Sequence, residues 1–285
     1  MNSLFRHFFD DASLFPPAAL AMSDAVAGHL RHQSAWYSEM SGPFVCAAGR
    51  LTELGGAITL AGVSEIDLAL VVPDGAAGVE AAVDAVFADP RLRLRAVELP
   101  IAAADDPLQG TLAVIAALDR TPLAGASAFV EVPARQLTRE VARCLAEHRY
   151  LAKVRTGGTS AEAFPDERTL ASCVQALVSE RLPYKCTAGL HHAVRHRDAT
   201  TGFEHHGFLN VLLAVAAALD DPGREAVAAL LAQSDSGLVA AAIRGLDADT
   251  GAAVRELFRS FGTCSTDDPL ADLVTLGLVI QPAAG

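Results

Sequence analysis

The sequence lacks the features that mark several large classes of protein. No uninterrupted apolar run reaches the roughly 20 residues that a membrane-spanning helix needs. Residues 1–16 mix Phe and Leu with charged residues, which is unlike the apolar segment of a secretory signal. No Cys-x-x-Cys pair occurs among the five scattered cysteines, which favours reduced thiols. We therefore expect a cytoplasmic protein that does not interact with membranes.

Positive charge is also scarce. The chain has 22 basic and 34 acidic residues and a net charge of −12, which argues against nonspecific binding to nucleic acid or to anionic membranes. No Gly-x-Gly-x-x-Gly motif follows the first predicted strand, which disfavours a dinucleotide-binding fold. Hydrophobic residues make up 51% of the chain, so a sizeable core is expected.

A repeated alternation of aliphatic strands with helices is the main pattern in the chain, and no linker interrupts it. Such a pattern predicts a parallel sheet with right-handed crossovers. Eight units in about 250 residues are typical of a (β/α)8 TIM barrel, with a doubly wound open sheet as the alternative. The predicted strands lie at residues 44–51, 66–72, 92–99, 128–132, 150–156, 183–188 and 260–265.

We predict an α/β fold in one domain, residues 1–285, formed as a single TIM-like barrel. Residues 1–43 are predicted as an N-terminal extension with an extra helix, and residues 44–285 as the barrel. The extra helix could cover one end of the barrel or contribute to a contact in a homo-oligomer. The seventh βα unit is predicted to be irregular, because residues 238–243 fit either a strand or a helix.

Charged residues cluster near the C-terminal ends of the predicted strands. Since side chains alternate across a strand, those that do not face the helices should point into the barrel, where such enzymes build their active sites. Positive charges outnumber negative ones in this set, which predicts a small anionic substrate bearing a phosphate or carboxylate. A plain interior salt bridge between Glu131 and Lys153 is the alternative. The inward charged residues are Arg50, Glu98, Glu131, Lys153, Arg155 and Lys185.

Lys185 is the preferred catalytic residue. Burial beside Lys153 and Arg155 is expected to lower its pKa and to leave a nucleophilic amine at neutral pH. Such an amine forms a Schiff base with a carbonyl compound, while Glu98 or Glu131 moves protons. The alternative is that Lys185 only clamps an anionic group, without a covalent role.

The segment Lys185-Cys186-Thr187-Ala188-Gly189 resembles the Lys-x-Thr-x-Gly strand of deoxyribose-phosphate-type class I aldolases. The resemblance covers five residues. It implies a Schiff-base role for Lys185 and an aldolase-like lyase activity on a small carbonyl compound. An isomerase of the same substrate class remains open, and Thr187 is a predicted substrate-binding residue.

Two further segments are predicted to bind the substrate. Arg155-Thr156-Gly157-Gly158 resembles an anion-binding turn, because adjacent glycines let main-chain N–H groups approach a ligand. The alternative is a simple turn. His206 and Asn210 lie one helical turn apart at the start of an apolar helix and could both face the pocket.

Five of the nine histidines fall between residues 191 and 206. His191 and His192 are predicted as general acid–base or hydrogen-bonding groups, and no cofactor is expected. The alternative is a metal-dependent hydrolase or lyase, with a metal held through His191, His192, His205 and His206 and with Glu204 as a further ligand. Neither His-x-His nor His-Glu-x-x-His occurs. A solvated loop, or a non-catalytic barrel serving as a ligand sensor or scaffold, also remains open.

Overall fold

Parallel strands close into a barrel in this protein. The computed structural model describes residues 3–102, 106–221 and 223–282, so the outermost residues of the predicted domain, 1–2 and 283–285, lie outside the described ranges. Each barrel strand is hydrogen-bonded to the next one along the chain, and the last pairs with the first. The predicted TIM-like α/β barrel is therefore confirmed, and the open-sheet alternative is wrong. The eight barrel strands are β1 (Phe9–Asp11), β2 (Ser41–Ala47), β3 (Ile66–Val71), β4 (Leu92–Pro100), β5 (Ser127–Glu131), β6 (Leu151–Arg155), β7 (Tyr184–Thr187) and β10 (Phe258–Thr263).

Helices follow the strands and cover the outside of the barrel. Several begin with an aspartate or threonine whose side chain accepts a hydrogen bond from the first helical turn, as Asp106 and Thr138 do. No helix of the described residues is both long and apolar enough to span a membrane. The α-helices are α1 (Met22–Ser34), α2 (Leu51–Leu60), α3 (Val79–Phe87), α4 (Pro107–Leu118), α5 (Arg139–Glu147), α6 (Glu167–Ser179), α7 (Phe208–Leu219), α8 (Arg224–Ala232), α9 (Ser236–Gly245), α10 (Ala248–Leu257) and α11 (Asp267–Thr275).

The barrel begins earlier than the sequence predicts. Strand β1, at Phe9–Asp11, pairs in parallel with both β10 and β2, and α1 then connects β1 to β2. This placement corrects the predicted boundary at residue 44. The strand has three residues and ends in two aspartates, so it offers no alternation of apolar side chains to identify it.

The predicted irregular seventh unit is also present. After β7 the chain forms a small antiparallel hairpin, β8 (His196–Arg197) with β9 (Glu204–His205), before α7. Helices α8, α9 and α10 then precede β10. Residues 238–243 lie within α9, which settles the alternative in favour of a helix.

Apolar side chains divide the interior of the protein into two regions. A large core lies between the strands and the helices, where Phe8, Phe208 and Phe261 contact one another. A small cluster fills the barrel itself and contains Val45, Ala69, Ala96 and Phe129. Two residues further along β4 and β5, on the same face as Ala96 and Phe129, the inward side chains become carboxylates. The barrel interior therefore changes from apolar to charged towards the C-terminal ends of its strands.

Candidate active site

Buried acidic and basic side chains alternate in a continuous chain across the barrel interior. The Nζ atom of Lys185 donates to Asp10 and to Glu98. The Nζ atom of Lys153 lies 2.9 Å from the second oxygen of Glu98 and 2.9 Å from Glu131. The other oxygen of Glu131 lies 3.0 Å from Nε of Arg155. We call this set the charged network; its members are Asp10, Lys185, Glu98, Lys153, Glu131 and Arg155.

Strand register explains why these residues meet. Lys153 on β6 is the direct partner of Lys185 on β7. Glu131 on β5 is the partner of Lys153, and Ser260 on β10 is the partner of Lys185. Side chains at the same level of a closed barrel point towards a common axis, so their charged ends converge there.

The two lysines control the ionisation of the central carboxylate. Burial alone would raise the pKa of Glu98, but Lys153 and Lys185 outweigh burial and lower this pKa to about 2. Burial acts in the same way on Glu131, and Lys153 and Arg155 again outweigh it and lower its pKa. Both carboxylates are therefore ionised at neutral pH.

The expected lowering of the Lys185 pKa is wrong. Burial does act to lower this pKa, but Asp10 and Glu98 contact the ammonium directly and raise it above its usual value. The side chain of Lys185 is only 2% exposed. Lys185 is therefore a buried ammonium held between two carboxylates, and it does not meet the condition of a free amine at neutral pH.

Asp10 is the group that the sequence analysis missed. It accepts hydrogen bonds from Lys185 and, at 2.7 Å, from the hydroxyl of Ser260. Burial raises the pKa of Asp10, although Lys185 opposes this rise. A strand of three residues is too short to show an alternation of apolar and polar side chains, so the sequence around Asp10 does not identify it as an inward residue. A search for the eighth strand needed to close the barrel could have found Asp10.

The predicted excess of positive charge is absent from the charged network. Three carboxylates face two lysines and one arginine, because Asp10 is added and Arg50 is lost. Strand β2 ends at Ala47, so the alternation that was expected to point Arg50 inward does not reach it. Arg50 instead lies on a short 3-10 turn and binds Glu53 at 2.8 Å, with both side chains partly exposed. This corrects its assignment to the inward set.

The network is closed at one end and open at the other. Asp10 and Lys185 are almost fully buried, whereas the side chain of Glu131 is 16% exposed and that of Arg155 is 46% exposed. Thr187, the register partner of Arg155, is half-buried beside it. Solvent therefore reaches the network at Arg155, on the C-terminal face of the barrel.

His191 and His192 follow β7 and occupy different surroundings. Nδ1 of His191 lies 3.4 Å from the Thr263 hydroxyl and 3.7 Å from the Cys264 thiol, and burial lowers the pKa of His191. His191 is therefore a neutral imidazole near pH 7. Nδ1 of His192 lies 3.1 Å from a carboxylate oxygen of Asp272 on α11.

The remaining histidines of the 191–206 segment do not complete a metal site. His196 and His205 pair across the β8–β9 hairpin, and the His205 ring contacts Phe164. His206 is fully buried, and its Nε2 lies 2.7 Å from the carbonyl oxygen of Pro165. No three His, Cys, Asp or Glu side chains of the described residues are grouped so that they could hold a metal ion. A metal held through these histidines therefore stays a prediction.

Close packing accounts for Gly157 and Gly158. A Cβ atom on Gly157 would lie 2.8 Å from the Cα atom of Gly189, and one on Gly158 would lie 2.7 Å from the Cβ atom of Ala163. The hydroxyl of Thr156 donates to the carbonyl of Ala188 at 2.5 Å. The turn after β6 is therefore pressed against the turn after β7, and an anion-binding role for the two glycines stays a prediction.

Asn210 binds main-chain groups with its whole amide. Its oxygen accepts from the N–H of Arg195, and its nitrogen donates to the carbonyls of Leu230 and Gln233, each at 2.8 Å. Asn210 and His206 are both fully buried. The expectation that they face the pocket is corrected: Asn210 ties the 191–206 segment to the end of α8, and His206 contacts the loop before α6.

Comparisons with protein-family models, with curated proteins and with solved structures found no match to this chain. The fold is therefore defined by the geometry of the barrel, and function has to be argued from the charged network and the groups around its open end.

Proposed function

We propose that this protein is an enzyme of the isomerase or lyase type that acts on a small carbonyl compound bearing an anionic group. The charged network carries the proposal. Burying Asp10, Glu98, Lys153 and Lys185 is costly, and apolar side chains of similar volume would fill a barrel at least as stably. Perturbed groups that converge at the C-terminal face of such a barrel are typical of an active site.

In the proposed site the lysines act as ammonium groups and not as Schiff-base nucleophiles. Lys185 has two carboxylate partners and a raised pKa, so forming its free amine near neutral pH is unfavourable. Lys153 also contacts two carboxylates, Glu98 and Glu131, each at 2.9 Å. An ammonium at this position stabilises negative charge that develops on a carbonyl oxygen.

Each group at the open end then has a role. Arg155 binds the anionic group of the substrate, because its guanidinium is 46% exposed and can form two parallel hydrogen bonds. The Glu131 carboxylate removes a proton from the carbon next to the carbonyl, and Lys153 stabilises the resulting enolate. When that carbon carries a hydroxyl group, the enolate is an enediolate. Transfer of the hydroxyl proton to the former carbonyl oxygen, and return of the abstracted proton to the former carbonyl carbon, then give the isomer. His191, whose Nδ1 lies 3.4 Å from the Thr263 hydroxyl, exchanges protons with substrate oxygens.

Proton exchange in deuterium oxide tests this function without knowledge of the physiological substrate. A panel of small 2-oxoacids and phosphorylated hydroxyketones is incubated with the protein, and loss of the α-proton signal is followed by NMR. We expect exchange with at least one anionic carbonyl compound. Glu131→Gln should reduce the rate by at least about 100-fold, the scale of a single acid–base group.

Matched variants and a trapping experiment complete the test. Arg155→Gln should raise KM, whereas Arg139→Gln, which removes an exposed arginine paired with Glu180, should leave the rate unchanged. Reduction with borohydride should add no mass at Lys153 or Lys185. A trapped adduct at either lysine would replace the ammonium role by a covalent one, and absence of exchange with every compound of the panel would refute the proposed chemistry.

A further inference from the structure

A cavity lies at the opposite end of the barrel from the candidate active site. Its volume is about 500 Å³, and its lining comes from the first residues of β5 and β6 and from the turns that precede β6 and β7. The position is the N-terminal face, so the cavity is separate from the open end of the charged network. Its lining residues are Ser127, Phe129, Ala146, Arg149, Tyr150, Leu151, Arg181, Leu182, Pro183 and Arg259.

The rim of this cavity is basic. Arg149, Arg181 and Arg259 line it, all three side chains are exposed, and no acidic residue is among the lining residues. Within the described part of the chain Arg149 and Arg259 form no ion pair, and Arg181 reaches Glu256 only at 4.0 Å with both side chains largely exposed. Three arginines with little neutralisation are unusual on a protein whose net charge is −12. They create a local positive potential that attracts anions.

The floor of the cavity is apolar. The buried ring of Phe129 forms part of it, together with Leu151 and Pro183. Ligand sites of small molecules combine such an apolar floor with a few charged groups that fix orientation. A guanidinium rim over an aromatic floor therefore fits a ligand with an apolar body and an anionic group.

Two of the rim arginines occupy backbone conformations that favour glycine. Arg149 has φ 62° and Arg181 has φ 49°, each in the turn between a helix and the next barrel strand. Glycine is the usual residue at such a left-handed helix end because a Cβ atom is strained there. Placing arginine at both turns costs stability, and the side chains of both residues line the same cavity.

We infer that this N-terminal cavity is a second binding site, for a small amphipathic anion with a ring-sized apolar body and one carboxylate or phosphate group. The anionic group binds Arg149, Arg181 and Arg259, and the apolar body lies on Phe129. This inference does not rest on the proposed catalytic function. The cavity also lies close to the charged network. Phe129 lines the cavity, and the Nζ atom of Lys185 lies 5.5 Å from the centroid of the Phe129 ring.

Phenyl phosphate is a suitable probe, with phenol and inorganic phosphate as its two halves. Binding to the full chain is measured by isothermal titration calorimetry. We expect phenyl phosphate to bind saturably and more tightly than either half. Arg149→Gln and Arg259→Gln should each weaken binding about fivefold, the size of one solvent-exposed charged contact. Arg139→Gln, at an exposed arginine that does not line this cavity, should leave this binding unchanged.

A pair of glycine variants separates a ligand-binding role from a structural one. Arg149→Gly should raise the Tm, because glycine adopts the left-handed backbone conformation without steric strain. The same variant should weaken phenyl phosphate binding. Ala124→Gly is the matched control: Ala124 has φ 50° but does not line the cavity, so the Tm should rise with unchanged binding. The inference is overturned if phenyl phosphate binds no better than phenol, or if only Arg155→Gln weakens its binding. It is also overturned if Arg149→Gly lowers the Tm and leaves binding intact.

Discussion

Glu98 lies at the centre of the charged network, between its two lysines. Each of its oxygens contacts a different lysine, and its side chain is 2% exposed. Glu98→Gln keeps the volume but removes the negative charge between two buried ammonium groups. We expect a large loss of stability, because Asp10 and Glu131 are then the only carboxylates left in the network for Lys153, Lys185 and Arg155.

The magnitude can be worked from the ionisation of Glu98. A pKa lowered from 4.5 to about 2 corresponds to on the order of 3 kcal/mol of favourable interaction with the ionised form. Breaking a buried ion pair by removing one partner costs about 3–5 kcal/mol. Since 1 kcal/mol shifts the Tm of domains of 150–250 residues by about 2–4 °C, the expected fall in Tm is about 6–20 °C.

Urea denaturation and thermal melts of four variants test this prediction. Lys153→Met alone should also destabilise, because it leaves Glu98 and Asp10 to share Lys185. The double variant Glu98→Gln/Lys153→Met restores charge balance and should be at least about 2 kcal/mol more stable than additivity implies. Glu225→Gln removes an exposed ion pair with Arg168 and should change stability by less than about 1 kcal/mol. Additive losses in the double variant would refute the network as an electrostatic unit.

Two further predictions concern acid stability and the 191–206 segment. Because the pKa of Glu98 is lowered in the folded state, its contribution is fully present above pH 4.5 and is lost as the pH falls towards 2; urea midpoints between pH 6 and pH 3 should fall less steeply in Glu98→Gln than in wild type. Asn210→Ala removes the side-chain partner of three partly buried main-chain groups and should cost about 2–4 kcal/mol in urea denaturation. Thr200→Ala, at an exposed position of the same segment, should have no effect.

Side-chain alternation predicted the charged network where strands are long enough to show it. The structure brings together four charged residues that lie beside apolar residues on strands of four to nine residues: Glu98, Glu131, Lys153 and Lys185. Alternation failed for Arg50, because an apolar run continues past the residue at which β2 ends. A strand boundary depends on pairing with neighbours, which a single sequence does not contain.

The ionisation of Lys185 could not be predicted for a different reason. Its sequence neighbourhood and the strand before it supply positive charge, which indicates a lowered pKa. The groups that reverse the effect are Asp10 and Glu98, which are 175 and 87 residues away in the chain. The effect of a charge depends on distance in space, and the arrangement that sets this distance is the closure of the barrel.

The two contacts of Glu131 determine how a substrate would bind to the charged network. Glu131 uses one oxygen for Arg155 and the other for Lys153. An anionic group that binds Arg155 competes with Glu131 and frees the oxygen that faces the open end, while Lys153 keeps the other oxygen in place. On the proposed function, binding of the substrate to Arg155 therefore also releases Glu131 from Arg155, and Glu131 can then act as the base. Without a substrate, Glu131 would stay paired with both Arg155 and Lys153. Only compounds whose anionic group lies at the right distance from the reacting carbon would therefore react.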